Sequence, residues 1–196
     1  SRFEILVVTT HRGVLESEMA DYPYFCADKK GRWDLLAWLR LRKVVRAFKS
    51  DAIYTFMPDM NITFALLRFM GIGNTKLIWG QFGSEPDFAA YGKIRKRVYQ
   101  VQQKLEFLSD AMISDGSRGI EFLKKFKHKL EPSTVIVSGT DTERFKRNRH
   151  DRIAFRTRHG LLETDIAIGI CSRLDPMKGY QILAKAAKRI LEKYPN

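Results

Sequence analysis

Cysteine is nearly absent: Cys26 and Cys171 are the only two in 196 residues, far apart and without metal-type spacing. That excludes a disulfide framework and a zinc site, and it fits a reducing cytoplasm. Long apolar runs are missing as well. The stretch Ile62 to Leu67 stops at Arg68, far short of the roughly 20 residues that cross a bilayer. No G-x-x-x-x-G-K-[ST] loop, H-E-x-x-H pair or G-x-G-x-x-G turn occurs, so P-loop, zinc-protease and dinucleotide chemistries lack their residues. Gly116-Ser117-Arg118-Gly119 has the wrong spacing for a nucleophile elbow. His11, His128, His150 and His159 share no ligand spacing and read as surface histidines. There is no internal repeat, low-complexity tract or heptad run. Neither a secretory leader nor an initiator methionine is present, and the chain opens almost directly into a strand pattern at Phe3, so truncation is expected.

What remains is the composition of a folded protein. Hydrophobic residues make up 44% and charged residues 29%, close to the soluble average, which argues against disorder. The length allows one core, or one domain plus part of another. Thirty-five Lys and Arg face 22 Asp and Glu, a surplus of 13 that would attract nucleic acid, anionic lipid or a phosphorylated substrate. The surplus is clustered. Arg144 to Arg158 holds seven basic residues and one acid; Lys93, Arg95, Lys96 and Arg97 form a second group, and Arg40, Arg42, Lys43 and Arg46 a third. Each cluster could equally be a solvated helix face. No nucleic-acid recognition motif accompanies the charge, and Phe145 and Phe155 also fit helix packing.

Strand and helix patterns alternate. FEILVVTT (3–10) reads as a strand, with a helix by 33–48 whose apolar residues recur at helical spacing. AIYTFM (52–57) reads as a strand ending at Pro58, followed by a helix over 61–70 stopped by Gly71. KLIWG (76–80) is a third strand, with turn chemistry after it and a long helix over 88–108. A short strand at 111–114 precedes a helix to about 127 capped by Asp115 or Ser117, and TVIVS (134–138) closes the set. The alternation predicts an α/β domain, a parallel Rossmann-like sheet flanked by helices, over residues 1–138. From 139 the texture turns charged, with a short helix expected near 140–145 because Thr140 and Glu143 have capping-box spacing. Beyond it, DIAIGIC (165–171) reads as a buried strand and 177–194 as an amphipathic helix. One strand and one helix cannot bury a core alone, so 139–196 is expected to begin a second domain.

The most informative stretch is CSRLDPMKGY (171–180). A strand end followed by Asp175 at an N-cap and Pro176 at the first helical position presents free N–H groups at the carboxyl edge of a sheet, where anions bind. Arg173 and Lys178 add a forked donor and a point charge, which suits a diphosphate. The alternative reading of the same residues is an ordinary capped helix with two exposed cations.

RLDPMKG resembles the RL-x-P-x-KG stretch of family-4 retaining glycosyltransferases of the two-domain GT-B type, matching at Arg173, Leu174, Pro176, Lys178 and Gly179. VIVSGTDTERF (135–145) resembles the hinge signature of the same family, upstream and in the right order. GRWDLLAWLRLRKVVRAFKSDAIYTFMPDMN, KLIWGQFGSEPDF and LSDAMISDGSRGIEFL extend the resemblance over nearly the whole chain. It implies a GT-B acceptor-side domain lacking its first strand, then the first strand and helix of the donor-side domain. It implies hexosyl-type transfer from a nucleotide-sugar donor to a glycan or lipid-linked acceptor, as in polysaccharide biosynthesis. No cofactor and no metal are implied; the nucleotide sugar is a co-substrate. Arg173 and Lys178 would hold its diphosphate. Asp59, Asn61, Gln81, Ser84, Glu85, Asp87 and Asp115 become acceptor-side residues, although each is also ordinary turn or cap chemistry. A lipid-diphosphate acceptor, or peripheral docking on the anionic inner face of the membrane, would account for the basic helices.

The pattern also departs from the family. Ser138 stands where the hinge usually has Asn, and Ser114-Asp115-Gly116 where relatives show Asn-Ser. The Gly-rich opening strand and a later pair of sugar-binding glutamates have no counterpart, so activity is expected of a longer parent. A non-catalytic GT-B-like scaffold and a basic nucleic-acid-binding module are the rival readings.

Overall fold

The computed structural model describes residues 3–13, 16–31, 34–83, 86 and 88–194. The chain divides into two compact units, Ser1–Val137 and Ser138–Asn196.

In the first unit β1 (Val7–Thr9) pairs in parallel with β2 (Tyr24–Cys26). A second sheet contains β3 (Ala52–Phe56), β4 (Lys76–Gln81), β5 (Ala111–Ser114) and β6 (Ser133–Val135), all parallel and in chain order. The helices of this unit are α1 (Leu35–Phe48), α2 (Pro58–Phe69), α3 (Phe88–Tyr91), α4 (Lys93–Lys104) and α5 (Ser117–Lys125).

Local chemistry sets their ends. Asp34 caps α1 by accepting from the Ala37 N–H at 3.0 Å, and Lys49 closes it in the left-handed region at φ 52°. Pro58 opens α2 at its first position, where the missing N–H costs nothing. The long helix expected over 88–108 is interrupted. Gly92, at φ 82°, separates α3 from α4, and a 3-10 turn at Glu106–Leu108 follows Leu105. Neither Asp115 nor Ser117 caps α5; Gly116 takes that place without a side-chain bond, because the Asp115 carboxylate is engaged elsewhere.

Right-handed crossovers between strands that advance in one direction put every crossover helix on the same face. The buried residues agree. Leu77 and Trp79 of β4 and Met112 of β5 join Leu41 of α1, Phe64 and Leu67 of α2, Tyr99 of α4, and Phe122 and Leu123 of α5 in one apolar cluster. Each large side chain in it contributes about 1.5–3 kcal/mol of transfer free energy. Val8 and Phe25 of the two-stranded sheet pack against the same cluster. The opposite face of the four-stranded sheet is less covered: Tyr54 is 38% exposed and Phe56 53%.

One ion-pair network staples the amino edge of this sheet. Arg68 of α2 donates to the Leu108 carbonyl at 2.8 Å and to Asp110 Oδ2 at 2.7 Å. Asp110 also accepts from the Leu77 N–H at 2.8 Å and from Lys76 Nζ at 3.2 Å.

In the second unit α6 (Arg149–Arg158) is capped by Asn148, which accepts from the His150 and Asp151 N–H groups. Buried Arg156 donates to the carbonyls of Leu162 and Asp165, closing the turn after the helix. The capping-box helix near 140–145 does not form. Asp141, rather than Thr140, accepts from the Glu143 and Arg144 N–H groups and holds a turn there. The stretch 165–171 is exposed and without regular structure, because among the described residues no strand offers it a ladder. The final helix, α7 (Tyr180–Lys193), starts three residues later than the sequence pattern suggests. Ahead of it Pro176–Lys178 makes one 3-10 turn, and Gly179 at φ 73° breaks the two apart.

Candidate functional site

Four parallel strands point their carboxyl ends at one edge, where open α/β sheets bind ligands. Asp115, just past β5, accepts from the Gly83 N–H through both carboxylate oxygens, at 3.0 and 3.1 Å. Its own N–H donates to the Gln81 carbonyl at 3.2 Å. The loops after β4 and β5 are thereby tied together. Gly119, in the first turn of α5, sits so close beneath them that a Cβ there would lie 2.4 Å from Ser114 Oγ and 3.1 Å from the Gly83 carbonyl.

The acceptor-side expectations separate by burial. Asp59 lies exposed in the first turn of α2. Asp115 is half-buried on the edge. Gln81 is wholly enclosed below the edge, with the Tyr99 phenol as neighbour; burial raises the Tyr99 pKa and the Gln81 contact opposes that rise. Asn61 is wholly enclosed too, and its amide is spent inside the fold. Its Oδ1 accepts from Thr55 Oγ1 at 2.6 Å, and its Nδ2 donates to the Gly80 carbonyl at 3.3 Å. It clips α2 to β3 and β4. Ser84, Glu85 and Asp87 lie outside the described residues.

Sequence reasoning missed an aromatic group at the same edge. Phe56 and Phe82 stack at 4.9 Å with planes 20° apart, and Tyr54 meets Phe56 at 4.6 Å. Burial, and then the Asp115 charge, raise the Tyr54 pKa. The alternation of Tyr54 and Phe56 in β3 was the available signal.

In the second unit Arg173 and Lys178 are both exposed, in the loop between Cys171 and α7. Asp175 caps the 3-10 turn by accepting from the Met177 N–H at 3.0 Å, and the Lys178 N–H donates to the Asp175 carbonyl at 2.9 Å. Part of the N–H array expected to face an anion is therefore used within the turn. The positive charge available to a ligand there is chiefly that of the two side chains. Among the described residues no three His, Cys, Asp or Glu side chains gather as metal ligands, and no helix is long and apolar enough to cross a membrane.

No family model matches the chain, and no curated protein does. Solved structures do. The chain is similar to HepE of Anabaena in complex with UDP and glucose, with a TM-score of 0.76 and 18% identity over 94% of this chain and 50% of that one. It is also similar to HepE in complex with UDP, with a TM-score of 0.73 at the same identity and coverage. At this identity the likeness speaks for parallel sheets flanked by helices, Rossmann-like, and for nothing finer. The chain spans half the length of the HepE chains.

Proposed function

We propose that this chain is part of a glycosyltransferase that moves a hexosyl group from a nucleotide-sugar donor to a glycan or lipid-linked acceptor, with retention, as in family 4. The observation that carries the reading is the loop 172–180, which holds Arg173, Lys178 and the wound turn between them in a protein whose fold matches one solved with UDP and glucose. Arg173 and Lys178 neutralise the departing diphosphate, the charge that develops as the glycosidic bond to the nucleotide breaks. Asp59 and Asp115, with Gln81 behind them, face the acceptor; the family resemblance would add Ser84, Glu85 and Asp87 to the same side. Asn61 serves the same edge indirectly, by packing. An anionic membrane surface is the further partner that the basic helices of the first unit suit.

The test is a calorimetric titration of UDP into the chain and into its Lys178→Ala variant. A charge-assisted bond to a diphosphate is worth about 1.5–3 kcal/mol, so affinity falls at least about tenfold. Equal affinities remove Lys178 from the donor site.

A further inference from the structure

The loop that carries Arg173 and Lys178 is closed by a single phenol. Tyr180, the first residue of α7, donates its hydroxyl hydrogen to the Ser172 carbonyl at 2.5 Å. The same oxygen lies 3.3 Å from the Ser172 N–H, which donates to it, and 3.3 Å from Ser172 Oγ. One hydroxyl, with one hydrogen to give and two lone pairs, thus meets both backbone polar groups of one residue. Ser172 has need of it, because the stretch before it has no strand partner among the described residues.

Seven residues, 173–179, lie between the two ends of this closure. Left open, a segment of that length could reach about 23 Å, and its two cations would share no fixed distance. Pinned at Ser172 and Tyr180, wound through the turn at Pro176–Lys178 and reversed at Gly179, it is held in one compact course. A diphosphate is short and asks for both charges at once, so most of the benefit of having two cations depends on that closure.

We infer that Tyr180 is a positioning residue for the diphosphate-binding loop, acting through its hydroxyl on the placement of Arg173 and Lys178. The inference rests on the donor-site reading given above. Tyr180 itself touches no ligand. Phenylalanine at this position keeps the ring and loses only these hydrogen bonds, so the contribution of the hydroxyl is separable.

The experiment compares the 196-residue chain with Tyr180→Phe, Ser172→Ala, Arg173→Ala and Tyr180→Phe/Arg173→Ala, titrating each with UDP and with uridine. Helix content is read by circular dichroism throughout. Tyr180→Phe is expected to weaken UDP about fivefold or more while leaving uridine affinity and helix content unchanged. Ser172→Ala, which removes the Oγ contacts to the Tyr180 hydroxyl and to the Arg173 carbonyl but leaves both backbone bonds to Tyr180, stays near wild type. In the Arg173→Ala background the Tyr180→Phe effect shrinks, because there is less of a pair left to align. If Arg173→Ala weakens UDP but Tyr180→Phe does not, the inference fails and the donor site stands. A proportional loss of UDP and uridine makes Tyr180 a general structural support and also overturns the inference. If the wild-type chain does not bind UDP, or Arg173→Ala is indifferent, the donor-site reading falls and takes this one with it.

Discussion

Replacing Asp110 by Asn tests whether the staple at the amino edge of the sheet stabilises the first unit electrostatically. Partial burial pushes the Asp110 carboxyl up; the Arg68 guanidinium, the Leu77 N–H and Lys76 more than reverse that, and its pKa falls from 3.8 to about 2. At about 1.36 kcal/mol per unit, the folded state gains about 2 kcal/mol from the ionised form at neutral pH. The folded pKa is depressed, so the contribution is complete above about pH 5, is roughly halved at pH 3, and disappears as pH falls through about 2. Urea unfolding followed by tryptophan fluorescence reports this unit, because Trp33, Trp38 and Trp79 all belong to it. Asp110→Asn should be less stable than wild type by about 2 kcal/mol near pH 7, and the gap should narrow to about 1 kcal/mol at pH 3. A gap of the same size at both pH values would refute the electrostatic account and leave only a lost packing contact.

Three further outcomes follow from the geometry. Asn61→Ala should cost about 2 kcal/mol in the same unfolding assay, since the Gly80 carbonyl loses its donor while Thr55 Oγ1 keeps the Ile78 carbonyl at 3.2 Å; an unchanged midpoint would mean that the clip is idle. Gly80→Ala puts a Cβ 2.3 Å from the Thr55 carbonyl oxygen and 2.8 Å from the Phe82 ring, so β3 and β4 must part and the thermal midpoint should drop by the equivalent of about 3 kcal/mol; a wild-type melting curve would contradict the close approach. Docking on an anionic membrane would use α1, which exposes Leu35, Leu36 and Leu39 beside Arg40 and Lys43. The chain should then cosediment with phosphatidylserine vesicles at low salt and release at moderate ionic strength, and failure to bind in either condition removes the membrane as a partner.

The parallel architecture was legible because β-branched and apolar runs such as KLIWG and AMIS are bounded by turn residues and separated by helical spacing, a periodicity that survives without any homologue. What eluded it were features decided by tertiary contact. Tyr24–Cys26 is too short to announce itself, and becomes a strand only by pairing with Val7–Thr9. The helix over 88–108 looked continuous because its polar positions tolerate a break, and Gly92 supplied one. DIAIGIC has strand composition, yet a strand is a property of at least two chain segments, and here the second is missing among the described residues. At the candidate site the residue types were readable and their burial was not. Asn61 and Asp59 sit two positions apart in one helix turn, one sealed inside and the other in solvent. Tyr180 stood inside the most informative motif, but its value lies in reaching back eight residues, which spacing alone does not disclose.

The one-sided layering of the first unit has a consequence for how the molecule behaves in company. With every crossover helix on the same flank, the back of the sheet offers Tyr54, Phe56 and their neighbours to whatever lies adjacent. Aromatic surface left facing water lowers solubility, so substituting Phe56 by a polar residue is the change that would keep this unit dispersed at high concentration.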